Sequence, residues 1–142
     1  MRIAVRFLAV MVPLALALVA CGDDEKVSLE GKTWSLTGIE TDGAAQPVLT
    51  GTVVTASFDA EKNQVTGSAG CNNYFGGYKS IERILTFPTA MGATRKFCGE
   101  PEGVMRQEQD YLTALAAATG FRIQGGELRI TGPGKALVFR AT

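Results

Sequence analysis

The sequence predicts an α+β fold with antiparallel strand pairing, and three observations carry that expectation. Apolar residues alternate with period two in several segments, whereas only one segment has helical spacing, with strand-like segments before and after it. Seventeen glycines against five prolines mark a chain with many turns. The 142 residues suffice for one domain, and a composition of 46% hydrophobic and 20% charged residues excludes a disordered or collagen-like chain.

The elements follow in order. Lys32 to Glu40 alternates and puts Trp34 and Leu36 on one face. Val53 to Asp59 does the same with Val54, Ala56 and Phe58. Ala60 to Asn63 then turns the chain into Gln64 to Ala69, a hairpin with a short polar loop. Arg83 to Phe87 is a further short strand, ended by Pro88.

Glu100, Pro101 and Glu102 predict the start of a helix. Proline lacks the N–H that would go unpaired there, and acids suit the positive end of the dipole. Val104, Glu108, Tyr111, Leu112, Leu115 and Ala118 fall at helical spacing, and Gly120 is the expected stop. Three strands close the chain: Phe121 to Gln124, Glu127 to Thr131 and Ala136 to Arg140. Gly125-Gly126 and Gly132-Pro133-Gly134 separate them as turns. Burying Trp34, Phe58, Phe87, Phe121 and Phe139 at roughly 1.5–3 kcal/mol each makes a modest core, to which a covalent staple would add.

The N-terminus reads as an address. Arg2 and Arg6 form a basic region, and Phe7 to Ala20 is uncharged and apolar. These fourteen residues rise only about 21 Å as a helix, too short for a hydrocarbon core of roughly 30 Å. The pattern is that of a secretory signal peptide over residues 1–20. Leu18-Val19-Ala20-Cys21 resembles the bacterial lipobox. That resemblance implies diacylglycerol on the Cys21 thiol, cleavage before Cys21, and acylation of the new α-amino group by a palmitate-type chain. The alternative is an ordinary cleavage site at Ala15-Leu16-Ala17, which would leave Cys21 as a free thiol.

Two or three acyl chains anchor stably, whereas one is marginal. Residues 21–28, with Asp23, Asp24 and Glu25, then form a short tether, and 29–142 the domain. Removing Arg2 and Arg6 leaves 14 − 2 = 12 basic against 14 acidic side chains, net −2. In the enterobacterial sorting rule an Asp directly after the Cys retains the protein in the inner membrane. Gly22 stands there instead, so the expected location is the periplasmic side of the outer membrane rather than the inner.

Composition also narrows the chemistry. Lys+Arg and Asp+Glu are both 14, so the chain carries no electrostatic footprint for nucleic acid. With no histidine there is no Ser-His-Asp or Cys-His catalysis and no imidazole metal site. No GxxxxGK[ST] phosphate loop precedes the helix, and Glu100, Glu102, Glu108 and Asp110 read as a helix start and solvated face, not a calcium loop. The expectation is a monomeric non-enzyme without metal or cofactor.

With Cys21 assigned to lipid, Cys71 and Cys98 remain, and export places them in an oxidising compartment. A structural disulfide is the simplest reading. A redox-active or metal-binding pair is the rival, against which stand the missing C-x-x-C and the missing third ligand.

The segment Val65-Thr66-Gly67-Ser68-Ala69-Gly70-Cys71-Asn72-Asn73-Tyr74-Phe75-Gly76-Gly77-Tyr78 resembles the G-x-x-G-C-N-x-(Y/F)-x-G-x-Y signature of the META domain family. Leu29-Glu30-Gly31-Lys32-Thr33-Trp34-Ser35-Leu36 is similar to its opening L-x-G-x-x-W-x-L, and Met91 to Cys98 to its M-x-x-T-x-x-x-C. Met105, Glu108, Tyr111, Leu112 and Leu115 match its helix, and Leu128 and Leu137-Val138-Phe139 its closing strands. The resemblance implies an antiparallel, partly barrel-like sheet with a packed helix, related in shape to secretion-pilot lipoproteins that hold hydrophobic tails. It implies a link to stress response or drug tolerance and no catalytic activity. One departure is the second glycine of Gly76-Gly77, expected to loosen a turn before Tyr78.

Individual residues admit two readings each. Asn72 and Asn73 could present amides to a ligand or cap a tight turn through their own backbone. Tyr74 and Tyr78 could form a binding face or lie half-buried with bonded hydroxyls. Glu108 falls on the apolar stripe of the helix. It could be a functional acid, or a structural acceptor served by Thr94, Arg95 or a tyrosine hydroxyl. Ala114, Ala117 and Ala118 could leave a gap for a tail or let the helix close on the sheet.

The expected function is a non-enzymatic envelope lipoprotein whose domain binds another envelope component and supports stress or drug tolerance. The runner-up is a carrier that shelters an acyl chain or hydrophobic peptide between helix and sheet.

Overall fold

The computed structural model describes residues 28–142. The segment assigned to the signal peptide, Cys21 and most of the tether lie outside the described residues. The strands are β1 (Thr33–Thr41), β2 (Ala44–Pro47), β3 (Thr55–Asp59), β4 (Gln64–Ser68), β5 (Asn73–Gly77), β6 (Lys79–Ile81), β7 (Ile84–Thr86) and β8 (Gly92–Ala93). Helix α1 (Val104–Ala116) follows, and β9 (Gly120–Gln124), β10 (Glu127–Gly132) and β11 (Lys135–Ala141) end the chain.

All strand pairs are antiparallel, in the order β6-β7-β9-β10-β11-β1-β3-β4-β5-β8, with β2 paired to β1. Strands β5 and β6 stand near opposite ends of that order, yet only Tyr78 separates them in sequence. One residue reaches about 3.5 Å, so the sheet must curl. It forms a half-barrel with its seam at Tyr78, and α1 packs against it.

The alternating segments lie where their periodicity places them. Trp34 and Leu36 are buried from β1, Ala56 and Phe58 from β3, and Leu128, Ile130, Leu137 and Phe139 from β10 and β11. A bulge between Leu36 and Gly38 divides β1, so that Thr33 to Ser35 pair with β3 and Gly38 to Thr41 with β2. The Asp42-Gly43 turn joining β1 to β2 has positive φ at both residues, as a two-residue hairpin of this hand requires.

Several expectations are corrected. The helix starts at Val104 rather than at Glu100-Pro101, and no acidic residue lies in its first turn. Gly103, at φ 89°, occupies the N-cap, because the chain changes direction there through a left-handed residue. The helix ends at Ala116, not at Gly120. Gly120 belongs to β9, where a Cβ would sit 3.1 Å from the Arg83 carbonyl oxygen, so it permits a close approach of β7.

Gly76 and Gly77 do not loosen a turn; both lie in β5, opposite Val65 and Gln64. A Cβ on Gly76 would meet the Met91 sulfur at 2.3 Å. Phe87 and Phe121 are only partly buried, and Tyr74, Tyr78 and Tyr111 join Trp34, Phe58 and Phe139 as the interior aromatics. Among them Tyr111 meets two rings edge to face, Tyr74 at 5.6 Å and Phe139 at 6.3 Å. Ala114 and Ala118 are buried and Ala117 exposed. A Cβ on Gly132 would lie 2.6 Å from the Ala117 carbonyl, so small residues let the end of the helix close onto β10.

Candidate functional site

The motif after β4 folds into a tight crossing held from three sides. Cys71 and Cys98 are joined by a disulfide with their Cα atoms 5.9 Å apart. Asn72 and Glu108, 2% and 7% exposed, are the buried polar and charged residues among those described. The Glu108 carboxylate takes three N–H donors: the backbone of Cys71 at 3.1 Å, the backbone of Asn72 at 2.7 Å, and Asn72 Nδ2 at 2.6 Å. Asn72 Nδ2 also donates to the Lys96 carbonyl at 3.1 Å. Its Oδ1 accepts from the Thr94 hydroxyl at 2.8 Å and the Lys96 N–H at 2.7 Å.

Glu108, Asn72 and Thr94 are thus one cluster, but Thr94 reaches Glu108 only through Asn72. Neither Arg95 nor a tyrosine serves Glu108; two of its three donors are main chain. Asn72 does not cap its own turn. Its amide bridges α1 to the segment 94–96. Asn73 is exposed, and its backbone continues the pairing with Thr94 (N–H to Oγ1 3.2 Å, Thr94 N–H to the Asn73 carbonyl 3.0 Å).

Tyr74 and Tyr78 form no exposed face. Both are buried, on the core side of β5 and at the seam. The Tyr74 and Tyr111 hydroxyls are 2.7 Å apart, and Tyr74 donates to the Thr55 carbonyl at 2.9 Å. Burial pushes both phenols above their ordinary pKa. The Tyr78 hydroxyl donates to Glu30 Oε1 at 2.8 Å, and burial with the adjacent Glu30 charge raises it too. For Glu30, burial acts to raise the carboxyl pKa. Hydrogen bonds from Ser28 and Tyr78 outweigh that, and it lies below the usual carboxylate range.

Every buried side-chain N and O among the described residues has a partner. The lone pairs of Glu108 and the amide of Asn72 are therefore used in holding three segments together. Among the described residues no group of three or more Cys, Asp or Glu side chains is placed to hold a metal ion. An open groove of about 220 Å³ between α1 and the β1–β2 hairpin is lined in part by Ile39, Pro47, Leu49 and Arg106, and by Asp110 and Lys135, which pair at 3.1 Å.

Among the predicted site residues Asn73 and Thr94 are exposed, and two large aromatic neighbours are accessible beside them. Phe75 and Phe97 are 55% and 85% exposed. Within β5 the burial of Tyr74 turns Phe75 outward, but the sequence alone does not show which of the two faces inward. Nothing local marks Phe97.

No curated protein matches the chain. A solved NMR structure of a protein from Burkholderia xenovorans is 28% identical, with a TM-score of 0.66, over 80% of this chain and 83% of that one. A second protein solved by NMR is 20% identical (TM-score 0.61; 80% and 94% covered). A DUF4847 family protein from Bacteroides vulgatus is 12% identical (TM-score 0.56; 79% and 93% covered). The last two show a shared fold. The family model of the META domain matches residues 27–142, the whole of the described fold, and the chain belongs to the META domain family.

Proposed function

We propose that this META-domain chain is a non-enzymatic, lipid-anchored protein of the bacterial envelope that docks on another envelope component and so supports stress or drug tolerance. The observation that carries the docking is the ribbon formed by β5, β8 and the segment 94–98. It exposes Phe75 and Phe97 while the disulfide and the Asn72–Glu108 cluster hold its backbone. Large aromatics on a preorganised backbone are efficient anchors, since little ordering entropy opposes their burial. The lipobox resemblance at Cys21 supports the anchor.

The filled interior supports this reading over a carrier. Tyr111 and Leu115 are fully buried beneath the helix, and its end closes against Gly132. The groove beside α1 carries an ion pair, which an acyl chain would have to desolvate.

The test is photocrosslinking in cells from position 97, with position 62 on the β3–β4 turn as control. The expected result is one discrete adduct from position 97, lost on Phe75→Ala and absent from position 62. Equal labelling from both positions, or none, overturns the proposal.

A further inference from the structure

We propose that the outer face of β6, β7, β9 and β10 is a membrane-facing surface that binds the phosphates of anionic phospholipid headgroups. This rests on the envelope-anchor reading for its geometry but not for its chemistry.

Arg122 and Arg129 stand directly opposite each other across β9 and β10. Like charges so placed repel. Arg129 is held by a two-pronged pair with Glu40, but no ion pair to Arg122 or Arg83 is found among the described residues. Arg83 is exposed at the β6–β7 turn, and the three arginines, with Gly120, Phe121 and Thr131, line an open depression of about 310 Å³. Arg83 and Arg122 beside this depression fit phosphate oxygens, which guanidinium groups bind through paired N–H donors, while Arg129 is held by Glu40.

The same face carries two exposed isoleucines. Ile81 and Ile84 pair across β6 and β7 at 70% and 57% exposure, and Ile84 pairs with Gly120 beside the depression. Apolar side chains next to cations are the pattern that enters a headgroup layer. Residues 28–142 carry 11 basic and 11 acidic side chains, so the domain as a whole is neutral. On this face Lys79, Arg83, Arg122 and Arg129 stand against Glu40 and Glu82, and the bordering Arg140–Glu127 pair cancels. The excess positive charge is therefore local.

The point of attachment agrees. The eight residue steps from Cys21 to Leu29 reach at most about 29 Å. The described chain begins beside the seam, where Glu30 accepts from Tyr78, the residue directly before β6. An anchored domain so tethered would lie within reach of the headgroups, with this face next to its point of attachment.

The test uses the chain from residue 21 carrying Cys21→Ser, exported behind a signal peptide that is removed, so that it has neither acyl chain nor apolar leader and a failure of the anchor reading leaves it intact. Sedimentation with vesicles of about 30% phosphatidylglycerol in phosphatidylethanolamine is compared with phosphatidylcholine vesicles, at low and physiological salt. The expected result is binding to the anionic vesicles alone, weakened by salt. Arg83→Gln with Arg122→Gln should lower the binding constant about 30-fold, and Ile84→Ser should weaken what survives at higher salt. Equal binding to both vesicles, binding to neither, or an unchanged double variant overturns the proposal. Full competition by free glycerol phosphate would assign a soluble phosphate ligand instead, and a protein adduct from a crosslinker at position 84 a protein partner; either overturns it.

Discussion

Asn72 and Glu108 are joined twice: the Asn72 backbone N–H donates to one carboxylate oxygen at 2.7 Å and its side-chain amide to the other at 2.6 Å. The two residues are 36 positions apart, so this pairing fastens the crossing after β4 to the middle of α1. The remaining hydrogen-bonding capacity of the amide fastens Thr94 and Lys96 to the same point. A buried carboxylate is tolerable here because three N–H donors replace its lost water.

Glu108→Ala should therefore destabilise by about 3 kcal/mol, because it strands buried donors as well as removing bonds. Glu108→Gln should cost less, since one carbonyl oxygen remains. Urea unfolding of the two variants measures this, and equal, small losses would contradict the account.

Cys71→Ser or Cys98→Ser should lower stability by about 3.5 kcal/mol in the chain-entropy account, given a separation of 27 residues. The double variant should lose no more than either single one. Thermal melts in oxidising buffer test this, and unchanged midpoints would mean that the bond does not stabilise the fold.

Gly67→Ala tests close backbone approach. A Cβ there would lie 2.0 Å from the Thr55 carbonyl oxygen, which is backbone and cannot swing aside. The expected loss is about 2 kcal/mol or more. Gly99, with nothing within 4 Å, is the matched control, and Gly99→Ala should change stability by less than about 0.5 kcal/mol.

All three tyrosines of the chain are buried and have raised pKa values. A raised folded pKa stabilises the native state below the unfolded value of about 10, and that stability is lost as pH rises beyond it. Absorbance near 295 nm should show no tyrosinate in the folded protein at pH about 10, and ionisation should accompany alkaline unfolding. Glu30 has the opposite sign. Its lowered pKa contributes stability present above the unfolded value of 4.5 and lost as pH falls through the lower folded value. Glu30→Gln should flatten the acid limb of the stability profile, and an unaltered acid limb would count against the Tyr78–Glu30 bond.

Cys21→Ser should release the protein from membranes into the soluble periplasmic fraction. Retention of the variant in membranes washed with high salt, which strips electrostatic contacts, would refute the lipid anchor.

The strands β1, β3, β4, β7, β9, β10 and β11 were legible because each has a local strand pattern and is bounded by its own turn residues. Trp34 with Leu36, and Leu137 with Phe139, declare their inner face without reference to anything distant. The two cysteines after Cys21 made the bonded pair legible by count, and the spaced motifs carried the family. Strands β5, β6 and β8 are short or glycine-containing, and β2 is exposed throughout, so none has an apolar alternation to read.

Tertiary structure decided the rest. Local acid and proline preferences misplaced the start of α1, because the left-handed turn at Gly103 depends on where the helix must dock. Whether Tyr74 faced solvent or core, and whether Glu108 met a side chain or two main-chain N–H groups, depended on contacts made by sheet closure. Periodicity tells which face of an element is inner. It does not tell which residue, dozens of positions away, closes the hydrogen bond that burial demands.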